Sequence, residues 1–414
     1  MSKAERCPNC GADLQVNPGF VTWCPACNWN IDPDRAKERR SLAGRLNRIL
    51  GQKSVDALRS QVLAEPRMTY KWSWRIFAAY VFSAAVHLLS LYCYSRVVIH
   101  LYTMRTIGDL FFGMVFLIIS LNLFPPVRKL PKPLLDRRRY PAIYRVLDEL
   151  AAGLGASKID HVIALREYTA LLTTAGWRRR RIVGIGLPLF ATLAPDEKIA
   201  ILAHEMAHHA NRDITRRWFV GSAWRTLAVW HNMVAPDPNN PTLWPRLYWV
   251  RVQLAKLVFW PWYLLGLSVW RESQQAEYYA DRRAAELVGT DPMRSSLQKF
   301  HLGPTFMLTV ERLARFKFNR HLFEEFRSRI AHVPDMEKLR LDRLLHSETA
   351  RADTTHPPTA YRLDYLDSRP CLPALRLSAT LVAEMEAEFA ELEREMQNGL
   401  LDDYKAWYLE AAGR

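Results

Sequence analysis

The sequence predicts a mainly α-helical protein with a small β-sheet, transmembrane helices and a compact cysteine-bearing module at its start. Two uncharged apolar runs, at 76–94 and 110–124, are long enough to enter a membrane. Elsewhere apolar residues recur mostly at helical spacing, and 161–185 contains the short apolar runs expected of strands. Two Cys-x-x-Cys pairs lie within the first 30 residues, well before the apolar runs.

Composition limits the class of protein and of partner. The 414 residues are 49% hydrophobic and 24% charged, which excludes wholesale disorder and argues against a chain embedded wholly in a membrane. The 57 lysines and arginines exceed the 42 acidic residues and give a formal net charge of +15. A basic balance favours a nucleic acid or an anionic membrane surface as partner, and composition alone does not choose between them.

The cysteine pairs predict a metal site. Each pair places two thiolates on one tight turn, or knuckle. Two knuckles together supply the four ligands of a tetrahedral zinc site, so residues 1–34 are predicted to form a zinc ribbon. Such ribbons bind nucleic acid, dock proteins or staple a terminus, and we expect one of the last two roles here. The first 30 residues have no apolar signal-peptide core, so we expect this end of the chain to stay in a reducing compartment. The predicted structural-zinc ligands are Cys7, Cys10, Cys24 and Cys27.

The apolar runs predict a transmembrane hairpin over 75–127, which a basic helical connector at 35–74 joins to the ribbon. A buried hairpin in a soluble protein is the alternative. Basic residues concentrate on the cytoplasmic side of membranes, and here they flank both ends of the hairpin, whereas the loop between the runs carries Arg96 and Arg105. Both termini are therefore predicted to be cytoplasmic. The flanking basic residues are Arg67, Lys71, Arg75, Arg128, Lys129, Lys132, Arg137, Arg138 and Arg139.

Residues 128–370 have the pattern of a globular domain. The spacing predicts an amphipathic helix at 143–154 and a further helix from an Asp196 cap to about Asn211. Short strands are predicted at 161–165, 169–173 and 182–185. The turn before the last strand carries Trp177 and four arginines at 178–181. A solvated turn is expected there, with contact to lipid headgroups or to acidic substrates as the alternatives.

The second half of the domain leaves one question open. Two apolar stretches, 218–234 and 254–270, predict either a second membrane hairpin within 215–270 or helices of the domain core. A separate helix is predicted at 272–287. Residues 371–414 are predicted to form a C-terminal amphipathic helix that packs against the domain or a partner chain.

The segment His204-Glu205-Met206-Ala207-His208 is the motif that carries chemistry. On a helix the two histidines lie one turn apart on the same face, so their imidazole nitrogens can bind one zinc ion. Glu205 then stands beside a metal-activated water and can move its proton. Surface histidines that bind nothing are the alternative for so short a motif.

A catalytic zinc site needs a third protein ligand and an open position. Glu277 and Asp281 lie on one face of the helix predicted at 272–287. Glu277 is a candidate for the third ligand, and Asp281 is a candidate partner for the second nitrogen of a ligand histidine. On their own, Glu277 and Asp281 would indicate a solvated acidic helix face. Together with the motif at 204–208 they favour a metal site instead.

With three motifs in this order, the chain resembles the HtpX-type membrane zinc metalloproteases of peptidase family M48. The motifs are HEMAHHANRD at 204–213, EYYAD at 277–281 and THPPTAYR at 355–362. The resemblance covers about 141–366 and extends to the preceding hairpin, whereas the zinc ribbon is an addition to the family pattern. It implies a gluzincin-like metalloprotease fold for residues 128–370.

The resemblance also implies roles for individual residues. His204, His208 and Glu277 are implied as ligands of the catalytic zinc. The remaining implied residues are the general base and acid Glu205, the histidine-orienting Asp281, the oxyanion-stabilising or peptide-positioning His356 and Arg362, and a substrate-pairing edge strand at Thr169, Ala170 and Leu171. The asparagine that the family often carries in that edge strand is absent here, which affects substrate pairing rather than the zinc chemistry.

These inferences predict a membrane-anchored zinc endopeptidase with one catalytic and one structural Zn²⁺. The resemblance implies a bacterial inner membrane, a cytoplasmic active site and a role in quality control of membrane or misfolded proteins. The expected partners are protein or peptide substrates and the lipid bilayer, and no nucleic acid is expected. The alternative is a membrane-tethered zinc-ribbon scaffold with an inactive protease body. The sequence indicates no particular oligomeric state.

Overall fold

The computed structural model describes residues 5–17, 19–32, 42–65, 74–103, 105–121, 129–211, 213–236, 245–316, 321–347 and 356–412. It confirms the predicted fold class, which is mainly helical with two small sheets, candidate membrane helices and an N-terminal cysteine cluster. The first elements in chain order are β1 (Glu5–Arg6), β2 (Asp13–Leu14), α1 (Leu42–Ala64), α2 (Trp74–Tyr102), α3 (Ile107–Leu121) and α4 (Pro141–Leu154).

The domain that follows alternates one small sheet with many helices. Its elements are β3 (His161–Leu165), β4 (Ala170–Ala175), β5 (Arg180–Gly186), α5 (Leu187–Phe190), α6 (Pro195–Ala210), α7 (Asp213–Val234), α8 (Pro245–Val288), α9 (Thr290–Lys299), α10 (Gly303–Phe316), α11 (Leu322–Ala331), α12 (Asp335–Ser347), α13 (Thr359–Asp367) and α14 (Ala379–Ala412). The main core lies between α4, the sheet, α6, α9, α10 and α14.

Two of the described helices are long and apolar enough to cross a membrane. They are Ile76–Tyr102 within α2 and Tyr248–Val288 within α8, and Ile107–Ile118 within α3 is a shorter apolar helix. Their outward faces expose large apolar side chains, for example Leu91 at 62% and Leu257 at 70%. Such a continuous apolar surface is unstable in water, so it favours lipid contact over the buried soluble hairpin.

The helix boundaries correct two expectations. α2 continues past residue 94 through Arg96 to Tyr102, so this arginine belongs to the helix rather than to the loop. α8 is one helix of 44 residues, where two were predicted. Arginine and glutamate favour helix, so the charged residues at 271 and 272 do not break it. Helix α7 is not among the candidate spans of the described residues. Arg67, Lys71 and Arg128 lie outside the described residues, as does the side chain of Arg75.

The three-stranded sheet has the order β3-β5-β4, with β3 parallel and β4 antiparallel to β5. The strand predicted at 161–165 has the observed bounds, whereas β4 begins at Ala170 instead of Thr169. Thr169 is instead part of the turn into β4, and its carbonyl accepts a hydrogen bond from the Gly186 amide at 2.9 Å. Leu135 pairs with the outer side of β3, so β4 is the edge strand without a strand partner in the described chain.

The predicted C-terminal helix is present as α14 and packs against the globular domain. Its Glu388 carboxylate accepts the amide hydrogens of Ala142 and Ile143, both at 2.8 Å, and so caps the N-terminus of α4. Arg139 pairs with Glu391. Part of the positive charge that follows α3 is therefore neutralised within the protein.

The cysteine module docks on α12 through a buried charge pair. The fully buried Arg340 bonds Glu337 at 2.7 and 2.8 Å and also donates to the Ile31 carbonyl at 2.7 Å. The indole of Trp23 donates to the Met336 carbonyl at 3.3 Å. The desolvation of a buried ion pair is offset only when its remaining donors and acceptors are also bonded. The Ile31 carbonyl of the cysteine module supplies this additional bond to Arg340.

We therefore expect Arg340→Ala to lower the midpoint of thermal unfolding markedly. Breaking a buried pair costs about 3–5 kcal/mol, because Glu337 would remain as an unpaired buried charge. Lys338→Ala is the matched control, since the pair of Lys338 with Asp335 is exposed and worth about 0–1 kcal/mol. Equal midpoints for the two variants, measured by scanning fluorimetry in detergent, would contradict the docking role of Arg340.

Candidate metal centre

Helix α6 carries the two histidines into the core. Pro195 occupies its first turn, where a missing amide hydrogen costs nothing, and Glu197 accepts the Ala194 amide at 2.6 Å. Ala194 is thus the residue before the helix, and the predicted capping role of Asp196 is wrong. The apolar run 199–203 is buried, so the turn that follows it brings His204 to 5% exposure.

Three potential ligand groups converge at this end of α6. The Nε2 atoms of His204 and His208 lie 3.2 Å apart. The Glu277 carboxylate, from α8, has one oxygen 3.4 Å from His204 Nε2 and the other 3.3 Å from His208 Nε2. One ligand atom from each residue therefore falls within 4.8 Å of the others, and Glu277 itself is 3% exposed.

The spacing of these atoms fits a zinc ion. With zinc–ligand distances of about 2.0–2.2 Å, the corners of a tetrahedron are about 3.3–3.6 Å apart. The three observed separations of 3.2–3.4 Å lie close to this value. Two imidazoles and one carboxylate also leave a fourth position, as a catalytic zinc site requires.

A second carboxylate lies behind the first histidine. Asp281 is fully buried, and its Oδ1 is 3.0 Å from His204 Nδ1. Arg362, from α13, donates to both oxygens of Asp281 at 2.6 and 2.7 Å and comes within 3.4 Å of Glu277. Burial alone would lower the pKa of Arg362, but these carboxylates outweigh it and raise the pKa above its usual value. The guanidinium therefore stays charged and compensates the buried carboxylates.

His356 contacts the site from a side that is open to solvent. Its Nδ1 lies 2.9 Å from a Glu277 oxygen, and its side chain is 63% exposed. Glu205 follows His204 on α6 and is half-buried. Thr355, the first residue of the THPPTAYR motif, lies outside the described residues. His356 is thus beside the ligands and accessible from the solvent, whereas Arg362 is 8% exposed.

Sequence reasoning missed that α1 supports the metal centre from behind. Leu58 packs against Tyr278, which follows the ligand Glu277 on α8. Asp56 accepts a hydrogen bond from the Tyr361 hydroxyl at 2.8 Å, on the helix that carries the site arginine. The apolar residues of α1 recur at 55, 58 and 62, which indicates a buried face without naming its partner.

The four predicted cysteines form a second cluster. Their sulfur atoms lie within 4.8 Å of one another, with Cys7–Cys27 at 3.7 Å and Cys10–Cys24 at 3.6 Å. Zinc–sulfur bonds of about 2.3 Å give a tetrahedron with edges of about 3.8 Å. The cluster therefore fits a zinc ribbon, and the separations are far too long for disulfides, which need about 2.05 Å.

The match to known proteins agrees with this geometry. The sequence model described as "Peptidase family M48" matches residues 137–370. The chain belongs to peptidase family M48. Membership in this peptidase family supports a metalloprotease, and the two apolar helices support a membrane protein.

Curated relatives cover less of the chain than the M48 match does. "Protease HtpX" of Pseudomonas putida (strain GB-1) is 26% identical over 167 residues, which are 39% of this chain and 56% of that protein. "Protease HtpX homolog" of Pyrobaculum aerophilum is 23% identical over 273 residues, 62% of this chain and 76% of the relative. The chain thus spans about half the length of the first of these relatives. No solved structure matches the chain significantly.

We predict two metal ions per chain and the loss of one in the double variant His204→Ala, His208→Ala. The remaining ion would belong to the cysteine cluster. His209→Ala is the matched control, because this histidine is adjacent on α6 but outside the ligand cluster. Elemental analysis of detergent-purified protein measures the ratio. A double variant that keeps both ions, or a His209 variant that loses one, would contradict the ligand assignment.

The Asp281–His204 contact yields a separate prediction. Asp281→Asn is expected to weaken metal binding about 10–100-fold, because the ligand imidazole loses the carboxylate that fixes its orientation. Competition with a chromogenic chelator measures this affinity. Asp364→Asn should leave it unchanged, since Asp364 pairs with Arg59 on the exposed side of α13 at 2.6 Å. Equal affinities for the two variants would rule out the orienting role.

Proposed function

We propose that the chain is a membrane-anchored zinc endopeptidase that hydrolyses peptide bonds with Glu205 as general base and acid. The observation that carries this proposal is the convergence of His204, His208 and Glu277 at separations that suit zinc, with Glu205 one residue from a ligand. A binding scaffold would have no chemical need for a glutamate at that place. The M48 membership supports the same reaction class.

The proposed reaction divides the work between metal and side chains. Zinc, when bound, polarises the scissile carbonyl and makes a water molecule more acidic. Glu205 accepts the proton of the attacking water and delivers it to the leaving amide nitrogen, so one carboxylate serves both steps. Its half-buried position supports this role, because it leaves the side chain reachable by substrate.

His356 and Arg362 receive different roles in this proposal. The exposed His356 stands beside Glu277 on the open side, which supports hydrogen bonding to the developing oxyanion. Arg362 is buried, and its guanidinium donates one hydrogen bond to each oxygen of Asp281. These contacts support a role in positioning the candidate ligands. The family resemblance implies a role near the substrate for both residues, whereas their different exposures favour separate roles.

The edge strand β4 is the proposed binding site for an extended substrate backbone. It is open on one side and packs against α6, the helix with the ligand histidines. The proposed pairing begins at Ala170 and continues through Leu171. Thr169 lies just before β4, and its carbonyl accepts a hydrogen bond from the Gly186 amide on the β5 side.

Membrane or misfolded proteins are the proposed substrates. An apolar groove of about 830 Å³ lies between α1, the start of α2 and α8, and it extends along α8 from Trp260 to Gln275. Its lining residue Gln275 is two positions before Glu277 in the sequence. A groove between these apolar helices supports the binding of apolar segments by the protein. With basic flanks on the same side, we propose cytoplasmic termini and a cytoplasmic active site.

The cysteine module is proposed to hold a structural zinc ion. All four positions of its tetrahedron are filled by sulfur, which leaves no open position for chemistry. Its docking on α12 supports a structural role for residues 1–34. The other proposed segments of the chain are the connector, the membrane hairpin, the protease domain and the C-terminal helix.

The decisive variant is Glu205→Gln. It should keep its full metal content and lose about 10²–10⁴-fold in the rate of peptide-bond cleavage, since the amide cannot move the proton. Fluorogenic casein with the purified, zinc-loaded protein gives the rate. Glu286→Gln is the control on α8, where Glu286 pairs with Arg282 at the surface.

Two outcomes would overturn the mechanism. Cleavage by Glu205→Gln at the wild-type rate would exclude Glu205 as the base. Stable capture of substrate proteins by the metal-loaded wild type, without any cleavage product, would favour the membrane-tethered scaffold.

A further inference from the structure

The tip of the β4–β5 hairpin is an exposed aromatic and cationic surface. Trp177 is 89% exposed, and Arg178, Arg179 and Arg180 are exposed beside it. The backbone angle φ is positive at Gly176 (73°) and at Arg179 (48°). This tight turn projects the side chains outward from the strands. A large indole in this position gains nothing from packing within the chain.

An ion-pair cluster at the base of the hairpin binds two of its four arginines and leaves the other two for contacts outside the domain. Asp160, just before β3, pairs with Arg180 at 3.1 Å and with Arg181 at 2.7 Å. The pKa of Asp160 is held below its usual range, chiefly by Arg181, so this pairing carboxylate stays ionised. The two arginines at the base are thereby tied to the domain, and Arg178 and Arg179 remain at the tip with Trp177.

Contacts of the tip with α7 indicate its depth relative to the membrane. The guanidinium of Arg179 lies over the ring of Trp218, 5.3 Å from its centre, and Trp218 is 49% exposed. The next residue, Phe219, stacks on Tyr80 of α2 at 5.7 Å and its carbonyl is 3.1 Å from His87 Nε2.

Tyr80 and His87 lie in the first part of α2. The candidate span begins at residue 76, so these side chains are about 6 and 16 Å along the helix from its start. Trp218 therefore lies near the end of α2 at which the chain enters the membrane. The hairpin tip covers Trp218 and therefore lies on the same side of the protein.

We propose that the hairpin tip, formed by Trp177, Arg178 and Arg179, docks on anionic phospholipid headgroups of the membrane that α2 crosses. An indole is favoured at the boundary between headgroups and hydrocarbon, and guanidinium groups bind phosphate through paired hydrogen bonds. The strand β4 leads directly into this tip. The contact would therefore hold the open strand edge, and the metal centre behind it, against the membrane surface.

A photo-crosslinking amino acid tests the contact in the full-length protein. Trp177→p-benzoylphenylalanine is incorporated, and the protein is reconstituted in nanodiscs of phosphatidylcholine alone or mixed with phosphatidylglycerol. Leu372→p-benzoylphenylalanine is the matched reporter, because Leu372 is 90% exposed and remote in sequence. After irradiation, mass spectrometry counts lipid adducts at each position.

The expected result is at least tenfold more lipid adduct at position 177 than at 372 in the anionic nanodiscs, since each basic residue near such a surface adds several-fold to binding. Adding Arg178→Gln and Arg179→Gln should reduce the adduct several-fold, and high salt should do the same. Lys338→Gln with Arg376→Gln removes two exposed cations elsewhere and should not.

Two results would overturn the proposal. One is equal adduct yield at positions 177 and 372. The other is an unchanged adduct in the double arginine variant, together with a raised KM for an acidic soluble peptide in detergent. The second result would assign the arginines to substrate recognition instead of lipid. The adduct yields do not depend on cleavage and only the KM measurement does, so a failure of the proposed endopeptidase would be seen separately.

Discussion

The buried carboxylate of Asp281 is the contact on which the rest of the centre depends. It faces His204 on one side and receives both donors of Arg362 on the other, with no exposure to water. An ionised carboxylate in such a place is costly unless all its partners are present. Helices α6, α8 and α13 each contribute one of these three residues, so they must close together for the charges to be compensated. The position of the imidazoles of His204 and His208, the two candidate metal ligands, then follows from this closure.

Helix α8 links the membrane to the chemistry. Its apolar part exposes Trp260 and Leu264, and the same uninterrupted helix carries Glu277 and Asp281. Glu277 follows Trp260 by 17 residues, which corresponds to about 25 Å along a helix. The height of the metal centre above the lipid-facing surface is therefore set by the length of a rigid element. A loop at this place would leave that height undefined.

The charges of the chain acquire separate meanings in the folded protein. Arg139 and Arg145 pair with acidic residues of α14, and Arg340 compensates Glu337 beneath the cysteine module. These cations stabilise the protein internally and do not report on a partner. The exposed Arg179 at the β4–β5 tip is different, because its neighbour is the ring of Trp218 on α7. A net charge of +15 therefore combines internal pairing with a local basic surface.

The sequence alone determined the features that depend on local spacing: the two cysteine knuckles, the histidine pair at 204 and 208, the strand at 161–165 and the apolar runs. Ligands one turn apart meet whenever the helix forms, so their geometry needs no knowledge of the fold. Only the tertiary structure decided that α8 is continuous, that Arg362 lies behind Asp281, that α1 supports Tyr278 and that Arg340 anchors the ribbon. These contacts join residues that are far apart in the chain. They depend on which buried faces and charges find each other, and periodicity shows that a face is buried without identifying what covers it.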